Sequence, residues 1–219
     1  MSYYPESWLA MNDALATLAI GGELSDTTKM PCRSWSIPAR LCKTGKRLAK
    51  IKGSVCFKCY AGNGNYRYPN VQAALQKRFD AMANAEWEAG MIWKIGKESC
   101  GFFRWFDSGD IQSLEHLKAI VRICNATPHI RHWLPTREFM IIRDYVAQGG
   151  IWPDNLVVRL SATMLEGEPP TRFASKVGAL TSSVQREGAS CPAPAQGGKC
   201  LECRKCWNKE VANVIYKLH

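Results

Sequence analysis

The residues of this chain best suited to chemistry are its cysteines, of which there are ten. Four of them, Cys191, Cys200, Cys203 and Cys206, fall within sixteen residues near the carboxyl end. Two-residue spacers let successive thiolates turn toward one point. The intervening Pro192, Pro194, Gly197 and Gly198 let the backbone wrap and leave amides free to bond sulfide. Three cysteines in CxxCxxC spacing, with a fourth ligand elsewhere, is the pattern of ferredoxin-type iron–sulfur loops. Cys191 supplies the fourth. The chemistry read here is a 4Fe–4S iron–sulfur cluster, and zinc, which also uses CxxC pairs, is the alternative.

A second group is looser: Cys32, Cys42, and the CxxC pair Cys56 and Cys59. It predicts a second metal site or additional ligands to the first cluster, with a redox dithiol as a further use of a CxxC pair. A thioredoxin-like role is disfavoured, because no clear strand precedes the pair and no long helix follows it directly. Cys100 and Cys124 read as small core hydrophobes. His116, His129 and His132 have no metal-ligand spacing with one another and read as surface or supporting residues. His219 is a chain end. In a chain without an export signal, thiols at this density point to metal or redox work rather than disulfides. The N-terminal segment carries Glu6 and Asp13 and lacks a basic n-region, so no signal peptide is expected.

The charge follows the cysteines. Net charge is +10, yet residues 27–79 alone hold twelve Lys and Arg and no Asp or Glu. The last 34 residues carry six bases against three acids, while residues 80–185 are nearly balanced. Two physical readings stand side by side. A basic surface attracts nucleic acid or another polyanion; equally, bound thiolates are a local negative charge that nearby cations offset.

These groups need a scaffold to hold them. At 219 residues and 46% hydrophobic content the chain is long and apolar enough for one globular domain. No stretch approaches the roughly 20 apolar residues of a membrane span. Pro5 to Ile20 reads as a short amphipathic helix, and residues 23–69 as a basic, cysteine-rich loop region with one short strand at 34–37. Spacing predicts one helix over 70–95, then strand, polar turn and helix in repetition through 97–185. The strands fall at 102–106, 130–134 and 156–160, with a weak fourth at 178–184. Residues 188–219 read as a cysteine-rich metal loop followed by a C-terminal helix. The whole predicts a single-domain α/β fold with parallel strands, a compact or partial TIM-barrel-like architecture with cysteine-rich N- and C-terminal loops.

In such folds chemistry collects at the carboxyl ends of strands, where this sequence places Asp107, Asp110, Arg137 and Glu138 as catalytic candidates. Strand alternation puts Arg104, Phe106 and Ser108 on one face and Trp105 and Asp107 on the other. Asp110 also suits a helix cap. Arg104, Arg137 and Arg159 lie near strands of one sheet, and the partners available to them are Asp107, Asp110 and Glu138. Gly62 to Asn65 lacks the Lys-Ser/Thr of a phosphate loop and reads as a turn.

The ordered set of Met30-Pro31-Cys32, Ser34 to Ala39, Cys56-Phe-Lys-Cys59-Tyr60-Ala61, Phe103 to Asp110 and Cys191 to Cys200 resembles a bacteriophage family of the gene product 88 type over nearly the whole chain. The resemblance implies a viral, iron–sulfur-binding protein acting in the host-cell cytoplasm. The Cys-x-x-Cys-Tyr-Ala element and the Ser-Gly-Asp strand end are also similar to pieces of the radical-SAM-like barrel group. That group carries CxxxCxxC in one loop; here Cys42 lies fourteen residues before Cys56, which argues against S-adenosylmethionine as a cofactor. The expectation is an iron–sulfur protein with redox or radical-type chemistry on an unknown substrate. The rival is a non-catalytic zinc module that binds nucleic acid or a host protein through its basic 27–79 region, with no membrane partner in either case.

Overall fold

The computed structural model describes residues 10–218. Within them, α1 (Asp13–Ala19) is followed by β1 (Ser34–Trp35), α2 (Lys43–Leu48), α3 (Pro69–Ala81), α4 (Trp87–Gly96), β2 (Phe102–Trp105) and α5 (Leu114–Ala126). Then come β3 (Arg131–Thr136), α6 (Phe139–Ala147), β4 (Leu156–Ser161), α7 (Thr171–Lys176), β5 (Leu180–Gln185) and β6 (Asn213–Lys217). All six strands are parallel and stand in chain order, β1 to β6, in one open sheet. No helix among the described residues is long and apolar enough to cross a membrane.

Alternation along the strands divides the sheet cleanly. Phe103, Trp105, Leu134, Leu156, Val158 and Leu160 turn to one face and form the main core with residues of α4, α5 and α6. The opposite face presents Phe102, Trp133 and Tyr216, covered by segments carrying Met30, Cys32, Cys200, Cys206 and Trp207. One face is thus packed by helices, while the other is covered by chain that carries cysteines.

Several expectations need correction. The first part of the N-terminal helix read over 5–20 lies outside the described residues, and α1 begins at Asp13, capped by Asn12 accepting from the Leu15 N–H at 3.0 Å. The helix read over 70–95 is two helices. The first ends at Ala81, and Asn84 sets the turn into the second: its side-chain oxygen takes the Glu86 N–H at 3.0 Å and its carbonyl takes the Trp87 N–H at 3.0 Å. An Asx turn of this kind outcompetes helix continuation. The C-terminal helix is strand β6. Val214, Ile215 and Tyr216 are β-branched or aromatic, and five residues are too few for a stable helix. Pairing with β5 from Thr181↔Asn213 to Gln185↔Lys217 satisfies their backbone.

Alternation also fails at one point that matters. Phe106 has φ +57°, a conformation that is rare for a bulky residue. The reversal puts Phe106 beside Trp105 in the helical core instead of beside Arg104. Gly109 then brings the turn against β1's continuation: a Cβ there would lie 2.3 Å from Ile37 Cγ1 and 2.9 Å from its carbonyl oxygen. Ser36 and Ile37 bind this turn, with Ser36 Oγ accepting from the Asp107 and Ser108 N–H groups and the Ile37 N–H donating to Ser108 O.

Candidate metal centres

The eight cysteines of the two sequence groups do not divide in space as they do in sequence. Cys32, from the first group, is buried in a cluster with Met30, Trp133 and Trp207, against which Cys100 and, from the far end of the chain, Cys200 and Cys206 pack. A backbone bond from Cys200 N–H to Lys29 O at 2.8 Å fastens the two segments together. Cys42, Cys56 and Cys59 remain as a separate set of three.

That set is assembled by short local devices. Cys42 closes the 3-10 turn Ala39–Leu41 and leads into α2. The loop with Cys56 is anchored through Ser54, which bridges to Met164, while the Val55 N–H donates to Thr163 O at 2.9 Å. Ser54 Oγ donates to Leu48 O at 2.6 Å and accepts from the Phe57 N–H at 3.1 Å. Cys59 O accepts from Asn63 Nδ2 at 3.2 Å. Gly45 stands between the sulfurs: a Cβ built on it would be 3.7 Å from Cys42 Sγ and 3.7 Å from Cys56 Sγ. The two sulfurs are therefore at most twice that distance apart. Burial raises the Cys42 thiol far above its ordinary range, with Asp110 and the neighbouring Cys59 and Cys56 adding to it. Burial also raises Cys56, opposed by the charge of Arg137.

The C-terminal segment is bound more firmly. Cys191 N–H donates to Ile215 O at 3.0 Å, and Cys203 N–H to Cys200 O at 2.9 Å. Between those two cysteines Leu201 takes φ +44°, turning the CxxC step back on itself. Cys206 lies in the 3-10 turn Lys205–Trp207, and its sulfur shares a 3.3 Å hydrogen bond with the Tyr216 hydroxyl. Burial pushes its thiol up to about 11, against the Tyr216 hydrogen bond and the charges of Arg104 and Arg159. Trp207 packs edge-on against Phe102 and Trp133 and donates to Phe103 O at 2.8 Å.

Arg159, on β4, is wholly buried. It makes five hydrogen bonds, all to backbone carbonyls, of which those of Cys206, Lys205, Asn208 and Val211 belong to the C-terminal segment and that of Thr181 to β5. Arg104 stacks on Trp133 with its guanidinium carbon 4.6 Å from the ring centre. It also donates to Tyr60 at 3.3 Å and to Met30 Sδ at 3.3 Å, and its buried Nε has no partner. Arg137 donates through Nε to Ala162 O at 3.1 Å, and its Nη nitrogens make no hydrogen bond among the described residues. The expected arginine–carboxylate network is thus absent there. Short carboxylates at strand ends are consumed locally before long guanidinium groups reach them.

Those carboxylates have other duties. Asp107 accepts from Ser34 Oγ at 3.0 Å and Tyr66 at 2.7 Å, and its carbonyl accepts from the Tyr60 hydroxyl. Asp110 accepts from Thr136 Oγ1 at 2.6 Å, the Ile111 N–H at 2.8 Å and the Arg137 N–H at 2.9 Å. It ties two strand ends together and is not a helix cap; Ser113 caps α5 instead, accepting from the His116 N–H at 3.0 Å. Burial holds the Asp110 carboxyl up at about 6 despite these bonds. Glu138 accepts from Thr44 through both oxygens, at 2.7 Å and 2.8 Å, and so fastens α2 to the end of β3.

Two of the histidines differ from expectation, while His129 is exposed as expected. His116 is buried among the rings of Trp35, Trp87 and Phe106, and His132 is wholly buried, sharing a hydrogen bond with Thr127 at 2.9 Å. Burial lowers both to about 3, so they are neutral core imidazoles. Cys124 is likewise wholly buried in the core. Tyr216, Thr44, Gly45 and Tyr66 were not singled out by sequence. A strand pattern in residues 213–217 was the one available pointer to Tyr216.

The donor set is sulfur-rich, as a soft metal or an iron–sulfur cluster requires. Among the described residues no three His, Cys, Asp or Glu side chains gather closely enough to hold a single ion.

A family model described as Gene product 88 matches residues 9–209. The chain therefore belongs to that family. No curated protein and no solved structure matches it. The likeness to the radical-SAM-like group rests on the short motifs at 56–61 and 108–110 alone.

Proposed function

We propose that this member of the Gene product 88 family is an iron–sulfur protein whose C-terminal segment wraps a 4Fe–4S cluster with Cys191, Cys200, Cys203 and Cys206. Arg159 carries the reading. A wholly buried guanidinium with only carbonyl partners retains an uncompensated positive charge, which is costly to keep out of water. Cys206 thiolate supplies the missing opposite charge once a metal has displaced its proton. The Tyr216 hydrogen bond to the same sulfur is the supporting contact expected around a metal thiolate. A bound cluster would supply electron transfer or Lewis acidity; the chain's own groups bind, orient and exclude water around it.

The sequential parallel sheet with helices on one face supports reading the fold as a partial barrel. On this reading redox or radical-type chemistry takes place near Asp107, Arg137 and the other polar strand ends. Protein purified without oxygen should be brown, absorb broadly near 400 nm, and contain iron with matching acid-labile sulfide. A colourless protein with stoichiometric zinc overturns the proposal.

A polyanion partner is favoured by one separate observation. Lys43, Lys46, Arg47, Lys50, Lys52 and Lys58 are all exposed, and none has a carboxylate partner among the described residues. Cations left unneutralised on one surface suit nucleic acid or an acidic protein.

A further inference from the structure

We infer that the cleft between the amino ends of β2 and β3 and the 3-10 turn Lys205–Trp207 binds a small organic phosphate monoester, of the size and charge of a nucleoside monophosphate. The inference stands whether or not the thiolates carry iron.

The cleft holds about 410 Å³, a volume suited to a small molecule. Phe102 and Trp207 form its aromatic wall, with Phe102 half-buried and the two rings edge-on, their centres 5.5 Å apart. Phe102 opens β2 and pairs with Arg131, which opens β3. Because the strands are parallel, the cleft lies at the end of the sheet opposite Asp107, Asp110 and Arg137. It is therefore separate from the polar strand ends and from the cations of α2.

Three cations line it: Arg131, Arg204 and Lys205. The guanidinium carbon of Arg204 stands 5.2 Å from the Phe102 ring centre, and that of Arg131 stands 5.9 Å from it. Two like charges drawn to one ring repel each other, and neither pairs with a carboxylate among the described residues. Arg131 is exposed, and the ring is the one partner of its guanidinium among the described residues. Arg204 uses Nη1 alone, donating to Leu201 O and, at 3.1 Å, to Cys203 O. Lys205 Nζ donates to Ser190 O at 2.9 Å and keeps further protons to give. Donors thus remain on all three cations, and guanidinium and ammonium groups are what phosphate oxygens take.

Charge and shape select the class of ligand. Glu210 is the one carboxylate in the cleft wall. Three cations against it leave an excess of two, about the charge that a phosphate monoester brings at neutral pH. A bare phosphate would leave Phe102 and Trp207 facing water, whereas a planar organic body covers them and meets the arginines through its ring face. Asn208 spends Oδ1 on the Glu210 N–H at 2.8 Å, which leaves its Nδ2 and the Glu210 carboxylate for the polar edge of that body. Arg204 and Lys205 stand between Cys203 and Cys206 in the chain, so a ligand held by them also steadies the step that carries those thiols.

The test is calorimetric titration of the full chain with adenosine monophosphate, with adenosine and inorganic phosphate as controls at matched ionic strength. The nucleotide should bind saturably at one site, and each control should bind at least about tenfold more weakly, since each lacks one half of the recognised chemistry. Arg131→Met and Arg204→Met should each weaken the nucleotide roughly tenfold, the loss expected for one charged hydrogen-bonded pair. Reversing Lys46, Arg47 and Lys50 to Glu should leave the nucleotide's affinity unaltered, which separates this cleft from the basic surface of α2. No saturable binding, or binding that both arginine variants retain, overturns the site. Adenosine binding as tightly as the nucleotide overturns the phosphate contact, and inorganic phosphate binding as tightly overturns the organic body. A single-stranded oligonucleotide that binds more tightly than the nucleotide, and loses that affinity in Arg131→Met, overturns the free ester in favour of a nucleic-acid backbone. If Arg204→Met fails to fold, Arg131→Met decides, because its exposed side chain gives up no protein hydrogen bond among the described residues.

Discussion

The two cysteine regions of this molecule are built on opposite plans. At the C-terminal end, backbone ties to β6 and to Lys29, four bonds from Arg159 and the Tyr216 contact hold the segment from several sides. At the other end, Cys42, Cys56 and Cys59 sit on short turns beside exposed cations, and Arg137, whose charge acts on Cys56, has Nη donors with no partner among the described residues. The first plan fixes its sulfurs as part of the sheet's covering. The second leaves room for something to arrive.

The largest expected effect contrasts the two directly. Cys206→Ala should release metal from the C-terminal segment and lower thermal stability by many degrees, because metal binding there is coupled to ordering an irregular segment. Cys59→Ala should lose its own metal with a much smaller change in melting. Equal losses in both variants, read by calorimetry and metal analysis together, would erase the distinction.

Arg159→Met sharpens the same contrast. Removing the guanidinium leaves five carbonyls without their donor, one in a buried bond and four in part-buried ones, and polar groups left unsatisfied away from water are expensive. The expected cost is about 3–5 kcal/mol in chemical denaturation, comparable to breaking a buried ion pair. Arg137→Met, at the other end, should cost under about 1 kcal/mol, since it gives up one bond to Ala162 O.

How much of this was readable in advance follows from what each feature depends on. The repeated strand, turn and helix of 97–185 was legible because its apolar spacing is local, and β2 to β5 fall where that spacing places them. The C-terminal strand was missed because Val214 to Tyr216 gains its stability from β5, a partner outside the window that periodicity examines. Cysteine spacing marked both regions but could not move Cys32 to its distant neighbours, since nothing in residues 27–60 encodes contact with Cys200. The duties of Asp110 and Glu138 depend on where Thr136 and Thr44 stand in space. The reversal at Phe106 has no sequence signature at all, because the residue type argues against it.

Asp110 tests which end of the molecule responds to acid. Its carboxyl titrates at about 6 in the folded chain, raised mainly by burial, against about 3.9 when unfolded. Between those values the folded state keeps a proton that the unfolded state has lost, so stability falls as pH rises through that window. Above it the full penalty is present, on the order of 3 kcal/mol. Asp110→Asn should remove that slope, measured as the difference in denaturation midpoints between pH 4.5 and pH 7. An unchanged slope would place the acid response elsewhere.

The smallest expected effect concerns the basic surface beside the three-thiol end. Lys46, Arg47 and Lys50 are exposed on and just after α2. If a nucleic acid lies along them, affinity should fall linearly in log–log terms with salt, with a slope of about 0.9 per phosphate neutralised on duplex DNA. Reversing all three to Glu should weaken binding about tenfold or more at low salt and flatten the slope by roughly the phosphates lost. The same substitutions should leave the melting temperature and iron content nearly unchanged, because none of these side chains bonds a carboxylate among the described residues and surface charges contribute little to stability. Reversal of Lys205 and Lys209, near the C-terminal cysteines, is the matching control and should affect nucleic-acid binding less, since Lys205 bonds Ser190 O and Lys209 lies 3.8 Å from Asp154. Equal salt slopes for both sets would mean that the polyanion does not distinguish the two ends. No binding at low salt, together with a loss of iron on reversing Lys46, Arg47 and Lys50, would instead make these cations counter-charges of the thiolates.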